Sequence, residues 1–445
     1  DSSFVGQSEV LSRIRSISLA ERTTQSRFII WSMAYKGWKE RPILGWGQEN
    51  FSYVFSKYYD PRLWRQEPWF DRAHNIFFDW LIAGGAVGLL SYLAIFGAVG
   101  WVLTRLWKRG VVSAIGVAIF AALFFAYFLQ NFFVFDNFAS YFLFFTFLGY
   151  LHALEVGTAP RQQNTAHGNG TLRLGRLPPA LCTAFSVVLV PAVIGVIYIG
   201  SFKPYTVSRA IIEALTTMSH QGGGARNIEG GIDIYTRAIA QNTLGTTEVR
   251  DQITQASNVI VGDSSVPNPD KEKFMRFAIS ELEKQAQWRP NDMRAKAFLA
   301  NIYSITGLSD KAITVCEDAL RYSPKRQLFY FVMAEGYLTK GDQAKALDVL
   351  EKALLLDPEY DQALNNYALV SVASGKGRLA ERILEQFTGK SVPADQRFAN
   401  AYLRVNDLVG ASRVWEALIE RQPQNADYHI NLSALLVRRG LREEA

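Results

Sequence analysis

The hydrophobic pattern changes character along the chain. From Ser26 to Trp38 apolar residues recur at helical spacing, with Phe28, Trp31 and Tyr35 on one face, and Pro42 with Gly45 and Gly47 ends that helix in a turn. Between about 76 and 201 the pattern is almost uniformly apolar and resolves into four runs, about 77–104, 111–131, 138–154 and 180–201. Each is close to the ~20 residues that a helix needs to cross a bilayer, and the first leaves its opening turn projecting outside. Gln130, Asn131, Asp136 and Asn137 read as a short hairpin turn, and a polar, Gly-containing linker runs from Pro160 to Pro178. From Lys203 onward helical periods return with charged faces. The predicted fold class is all-α, with multi-pass membrane helices and an external loop domain followed by an α-solenoid. The domains predicted are an external loop over 1–75, four membrane helices over 76–201, a linker with a degenerate helix pair over 202–270, and repeats over 271–445.

The repeats announce themselves by period. Pro290, Pro324 and Pro358 are 34 apart, as are Gly307, Gly341 and Gly375, Ala300, Ala334 and Ala368, and Ala312, Ala346 and Ala380. Small residues inside paired helices, with Pro closing each unit at this spacing, form the tetratricopeptide pattern. A unit of altered length runs from about Pro393 to Pro423, and Arg442–Ala445 falls inside the next unit's second helix. Stacked repeats need a capping helix, and none is visible. The chain has no initiator Met, and residues 1–20 lack the apolar core of a signal peptide. The sequence therefore reads as a piece of something longer.

Charge adds orientation. The net charge of +6 is modest for 445 residues and its basic residues are scattered, so no nucleic-acid footprint is visible. Arg105, Lys108 and Arg109 follow the first apolar run, and Arg161, Arg173 and Arg176 follow the third, whereas the turn between the second and third has Asp136 and no base. Basic connections stay in the cytoplasm, which puts residues 1–75, with His74, and everything after 201 outside it. Cys182 and Cys316 lie in unlike halves and read as buried free thiols.

Candidate chemistry concentrates between Asp71 and Leu89, where His74 and Asn75 stand at the mouth of the first apolar run. Two readings fit. An ionisable group at a bilayer edge is a functional candidate; equally, such a pair caps exposed helix N–H groups. Asp79 lies one turn after Asn75, either to orient it or as a polar handle at the interface. The aromatics of residues 1–75 read as packing, as a sugar platform or as an interfacial belt. The five histidines show no metal-ligand spacing, and there is no phosphate-binding Gly-rich loop and no Gly-x-Ser-x-Gly elbow.

The His74-Asn75 pair, nine residues and then Gly85-Ala86-Val87-Gly88-Leu89 forms a more specific pattern. Upstream stand Ser26-Arg27-Phe28-Ile29-Ile30-Trp31 and Arg41-Pro42-Ile43-Leu44-Gly45-Trp46-Gly47, with Phe51 beyond. Over roughly residues 20–105 this resembles the O-antigen ligase family, bacterial inner-membrane glycosyltransferases of lipopolysaccharide and cell-envelope assembly. The resemblance implies transfer of a glycan from a polyprenyl-pyrophosphate (undecaprenyl-type) carrier to a lipid or protein acceptor, without cofactor or metal. It assigns the leaving diphosphate to Arg27, whose guanidinium binds phosphate oxygens bidentately. It assigns the acceptor proton to His74, whose ordinary pKa of about 6.5 suits a base near neutrality. Asn75, Arg22 and Arg72 are weaker substrate contacts, and Gly45, Gly47, Gly85 and Gly88 are structural. The same resemblance implies further spans before Asp1, with a membrane-proximal Arg, so this stretch is not expected to act alone. The repeats lie outside the family core, and their concave face suits a protein partner or acceptor. Alternatives are a related polymerase or protein O-oligosaccharyltransferase, or a non-enzymatic membrane anchor that displays a repeat scaffold.

Overall fold

A computed structural model describes residues 22–66, 69–158, 179–219 and 227–441, without the side chains of residues 22 and 179–186. Among the described residues every regular element is helical. The described residues divide into two compact units, one drawn from residues 22–107, 112–148 and 291–441 and the other from 108–111 and 149–290.

The first unit begins with α1 (Arg22–Glu40), α2 (Phe51–Lys57) and a 3₁₀ turn (Pro61–Arg65). Ile30, Met33, Phe55 and Leu63 are fully buried between them, and Trp31, Trp38, Trp46 and Tyr58 pack against that core. Most of the loop's aromatics are therefore packing, and the indole N–H groups find carbonyls: Trp31 donates to Ala73 at 3.0 Å and Trp46 to Gly37 at 2.8 Å.

α3 (Ile76–Lys108) is the first long apolar helix, and it is broken at Gly85, which has φ 61° and ψ −155°. The break has a defined chemistry. Helical bonding would carry Ala86 N–H to Ile82 and Val87 N–H to Ala83. Instead Trp46 and Gly47 donate to Ile82 and Ala83 (2.6 and 3.1 Å), while Ala86 and Val87 donate to Pro42 and Ile43 (2.8 and 3.3 Å). The Pro42–Gly47 turn thus takes over four helix partners, which is how non-helical backbone is tolerated near membrane depth. Gly45 (φ 68°) and Gly85 make the approach possible: a Cβ on Gly45 would lie 2.4 Å from the Ile82 carbonyl oxygen, and one on Gly85 2.3 Å from that of Ile43. Gly47 is also left-handed at φ 96°. A Cβ on Gly88 would stand 3.1 Å from the Trp80 carbonyl oxygen across the break.

α4 (Ala114–Gln130) and α5 (Phe138–Gly157) follow. Ile76 N–H donates to the Asn131 carbonyl at 3.0 Å, so α4 ends beside the start of α3 and runs antiparallel to it. At the far end Arg109 pairs with Glu155 at 3.3 Å. α6 (Pro179–Ile197) continues through a π turn (Tyr198–Phe202) into α7 (Lys203–Met218). The helix that carries the last apolar run therefore continues to Met218 and does not give way to a linker near 202. Helices α3 and α5 and the stretch Val187–Met218 are long and apolar enough to cross a membrane, while α4 is shorter at 17 residues. Arg161, Arg173 and Arg176 of the third connection lie outside the described residues.

The second unit is built on α7, which buries Val207, Ile211, Ala214 and Met218 at helical spacing, beside α8 (Ile228–Ala240). α9 (Thr246–Gly262) is joined to α10 (Asn268–Trp288) by the buried pair Arg250–Glu281 at 3.1 Å. Among the described residues, region 202–270 carries α7, α8, α9 and the start of α10.

The repeats resume in the first unit as α11 (Met293–Ile305), α12 (Ser309–Tyr322), α13 (Gln327–Thr339), α14 (Gln343–Leu356), α15 (Asp361–Ala373) and α16 (Gly377–Thr388). The altered unit is α17 (Gln396–Arg404) with α18 (Leu408–Arg421), and α19 (Ala426–Arg438) follows. All six periodic alanines are at most 3% exposed. Gly307, Gly341 and Gly375 take φ of 75°, 78° and 74° where each first helix turns into its second.

The repeats dock on the loop. Ser323 donates to the Ser56 carbonyl at 2.6 Å, and both residues are buried. The Arg326 guanidinium lies over Trp69 at 3.6 Å and Tyr59 at 4.5 Å. Burial lowers its pKa to about 10, partly offset by Tyr59, and it stays charged at neutral pH. Trp64 stacks on Tyr360 at 4.4 Å and donates to Asp357 at 3.0 Å.

Candidate active site

The stretch Ala73–Asn75 is held from every side. Trp31 of α1 bonds the Ala73 carbonyl and stacks near Phe78 at 6.0 Å. Asp79 accepts the Ala73 N–H at 2.8 Å. Asn75 Oδ1 accepts from Phe77 and Phe78 N–H at 2.9 and 3.2 Å, and its Nδ2 donates to the Phe132 carbonyl at 3.1 Å. These anchors keep His74 in the left-handed region at φ 53°, a conformation that costs an L residue about 1–2 kcal/mol. Its ring lies edge-on between Phe70 at 5.6 Å and Phe135 at 5.3 Å.

Asn75 takes the capping role that the sequence allowed. Its amide bonds backbone at both ends and the residue is 3% exposed, so it caps α3 and ties it to the α4–α5 turn. Asp79 does not orient it; the carboxylate pins Ala73 instead.

Arg27 precedes Trp31 by one turn on the same face of α1, and the Trp31–Ala73 bond therefore brings it to His74. Together they line a cleft of about 230 Å³. The opposite wall is the α4–α5 turn, with Gln130, Asn131, Asp136 and Asn137, joined by Tyr127 and Ser140. Asp136 Oδ1 accepts from Tyr127 at 2.6 Å and from Ser140 at 2.9 Å. Among the described residues no carboxylate pairs with Arg27. The arrangement sets Arg27 and His74 on one cleft, lined in part by Phe133, Val134 and Phe135, at the mouth of apolar helices.

The remaining candidates fall elsewhere. Arg72 pairs with Glu49 at 2.8 Å and lies over Phe135 at 5.3 Å, behind the cleft wall. The side chain of Arg22 lies outside the described residues. Gly45 and Gly85 clasp the Pro42–Gly47 turn to α3. The sequence reading missed the wall formed by Gln130, Asp136 and Asn137, taking it as a plain turn. The signal was present, since polar and ionisable residues clustered between two apolar runs mark a site by default. Among the described residues no three His, Cys, Asp or Glu side chains gather to hold a metal.

Apolar helices with a cleft at their mouth, joined to stacked helix pairs, define a membrane protein with a helical-repeat region. Residues 2–93 match the family model described as O-antigen ligase, and residues 294–326 and 329–360 match the tetratricopeptide repeat model. The chain thus joins a segment similar to the O-antigen ligase family to a region similar to tetratricopeptide repeats. It is also 20% identical over 229 residues to the TPR repeat-containing protein YpiA of Bacillus subtilis (strain 168), covering 48% of this chain. The chain spans about half (53%) of that curated relative's length. Among solved structures, a thermophilic TPR protein of Thermus thermophilus is 20% identical, with 42% of this chain and 99% of that one covered and a TM-score of 0.31. A tetratricopeptide repeat protein from Parabacteroides merdae ATCC 43184 is 17% identical, with 43% and 74% covered and a TM-score of 0.33.

Proposed function

We propose that this chain is part of a membrane glycosyltransferase that moves a glycan from a polyprenyl-pyrophosphate carrier to an acceptor hydroxyl. The observation that carries the reading is the convergence of Arg27 and His74 on one cleft beside the start of α3. Arg27 holds the leaving diphosphate through its planar fork. His74 takes the proton of the acceptor oxygen as that oxygen bonds the anomeric carbon and the carbon–diphosphate bond breaks. The diphosphate leaves as an anion and needs no proton at neutral pH, so one base suffices. The loop and repeats face the external side of a bacterial inner membrane, where the repeats are available to a protein partner or acceptor. A non-enzymatic scaffold gives no reason for a cation and an imidazole to share a cleft.

The test uses the full-length protein in membranes. His74→Ala should lower the transfer rate about 10²–10⁴-fold while the amount inserted stays constant. Arg27→Lys keeps the charge and loses the fork, and should also fail. The two losses should not add, because both act on one transition state. Wild-type turnover in His74→Ala would remove the assignment.

A further inference from the structure

A second and larger hollow lies on the other face of α1. It encloses about 940 Å³, at the upper end of the roughly 300–1,000 Å³ of ligand sites. Ser26, Phe28 and Ile29 of α1 form one wall, Trp64 and Arg65 the floor, and Asp357–Glu359 with Phe387 the repeat side. We propose that this groove is a glycan subsite, holding the sugar units of the donor that lie distal to the diphosphate; the choice of donor rests on the transferase reading above.

The lining favours a neutral, polyhydroxylated ligand. Phe28 and Phe387 are 48% and 41% exposed, leaving flat apolar faces open to solvent. A sugar ring offers a C–H face for such rings and a rim of hydroxyls for planar polar groups, here Gln25, Gln66 and Arg62. The lining charges balance, Arg62 and Arg65 against Asp357 and Glu359; Arg65 pairs with Glu359 at 3.6 Å, and Arg62 also pairs with Asp60 at 2.7 Å. Such a surface has no field to concentrate a polyanion or polycation. Among the described residues there is no strand whose edge an extended peptide could join. An amphipathic helix needs a continuous apolar trough, and ion pairs interrupt this one. α1 is the common wall of both hollows, so a chain in the groove lies about one helix diameter, ~10–12 Å, from Arg27 and His74.

The probe is the oligosaccharide released by mild acid from the host's lipid-linked glycan, titrated calorimetrically into detergent-solubilised full-length protein. Phe28→Ala and Phe387→Ala should each weaken its binding roughly fivefold and raise the donor KM without lowering kcat. Arg27→Ala should leave oligosaccharide binding within about twofold while abolishing transfer. Absence of saturable binding by wild type, unchanged binding in both Phe variants, or a rise confined to the acceptor KM would overturn the subsite. Failure of the transferase reading would show separately, as retained transfer in His74→Ala, and would not touch the titration.

Discussion

Two glycines forty residues apart hold the loop to the first span, and neither tolerates a side chain. Gly85 combines φ 61° with ψ −155°, a region essentially closed to L residues and worth about 1–3 kcal/mol of strain. A Cβ there would also lie 2.3 Å from the Ile43 carbonyl oxygen, which the clasp cannot move without losing its bonds. Gly85→Ala should therefore lower the unfolding temperature of the purified protein clearly and depress transfer with it. Gly84 is the internal control, because a Cβ there meets nothing within 4 Å. Gly84→Ala should be neutral by the same thermal assay, and equal losses at both positions would refute the clasp. These glycines stood in the sequence as motif positions. Their pairing was not legible, because it is made backbone to backbone and leaves no trace in side-chain pattern.

At the scale of elements, period was the legible quantity. The 34-residue spacing alone located Ala300, Ala334 and Ala368, and each is at most 3% exposed in its helix. Filling such a contact is expected to cost about 1–3 kcal/mol by overpacking, so Ala334→Leu should lower the melting transition of the repeat region. Leu355→Ala, at a side chain 73% exposed, should change it by no more than about 0.5 kcal/mol. Equal effects would mean that the register is wrong. Where period gave out, so did the reading. Apolar content identified the runs near 77–104 and 180–201, yet it could not register the break at Gly85 or the π turn at Tyr198–Phe202 that carries the last run on into α7. Nor could it distinguish a hairpin turn from a cleft wall at Gln130–Asn137, since both need polar residues between apolar helices.

At the scale of the molecule, the docking of repeats on the loop fixes a parity. Trp64 contacts Asp357 and Ser56 contacts Ser323, so the loop and the repeats lie on one side of whatever helices separate them. An even number of crossings is therefore expected. Three stretches are long and apolar enough, and α4, at 17 residues, stands at the lower limit of about 17–25. Its end at Asn131 meets the start of α3, which makes α4 the candidate for the expected fourth crossing. With four crossings, the basic cluster Arg105, Lys108 and Arg109 is expected on the side that retains positive charge. With Cys182 and Cys316 replaced by Ala, Lys39→Cys and Lys390→Cys should both react with a membrane-impermeant maleimide in intact spheroplasts. Gly110→Cys, in the basic connection, should react only after permeabilisation. Labelling at Lys39 without labelling at Lys390 would mean an odd number of crossings, and with it the loss of the docked arrangement and of the groove that depends on it.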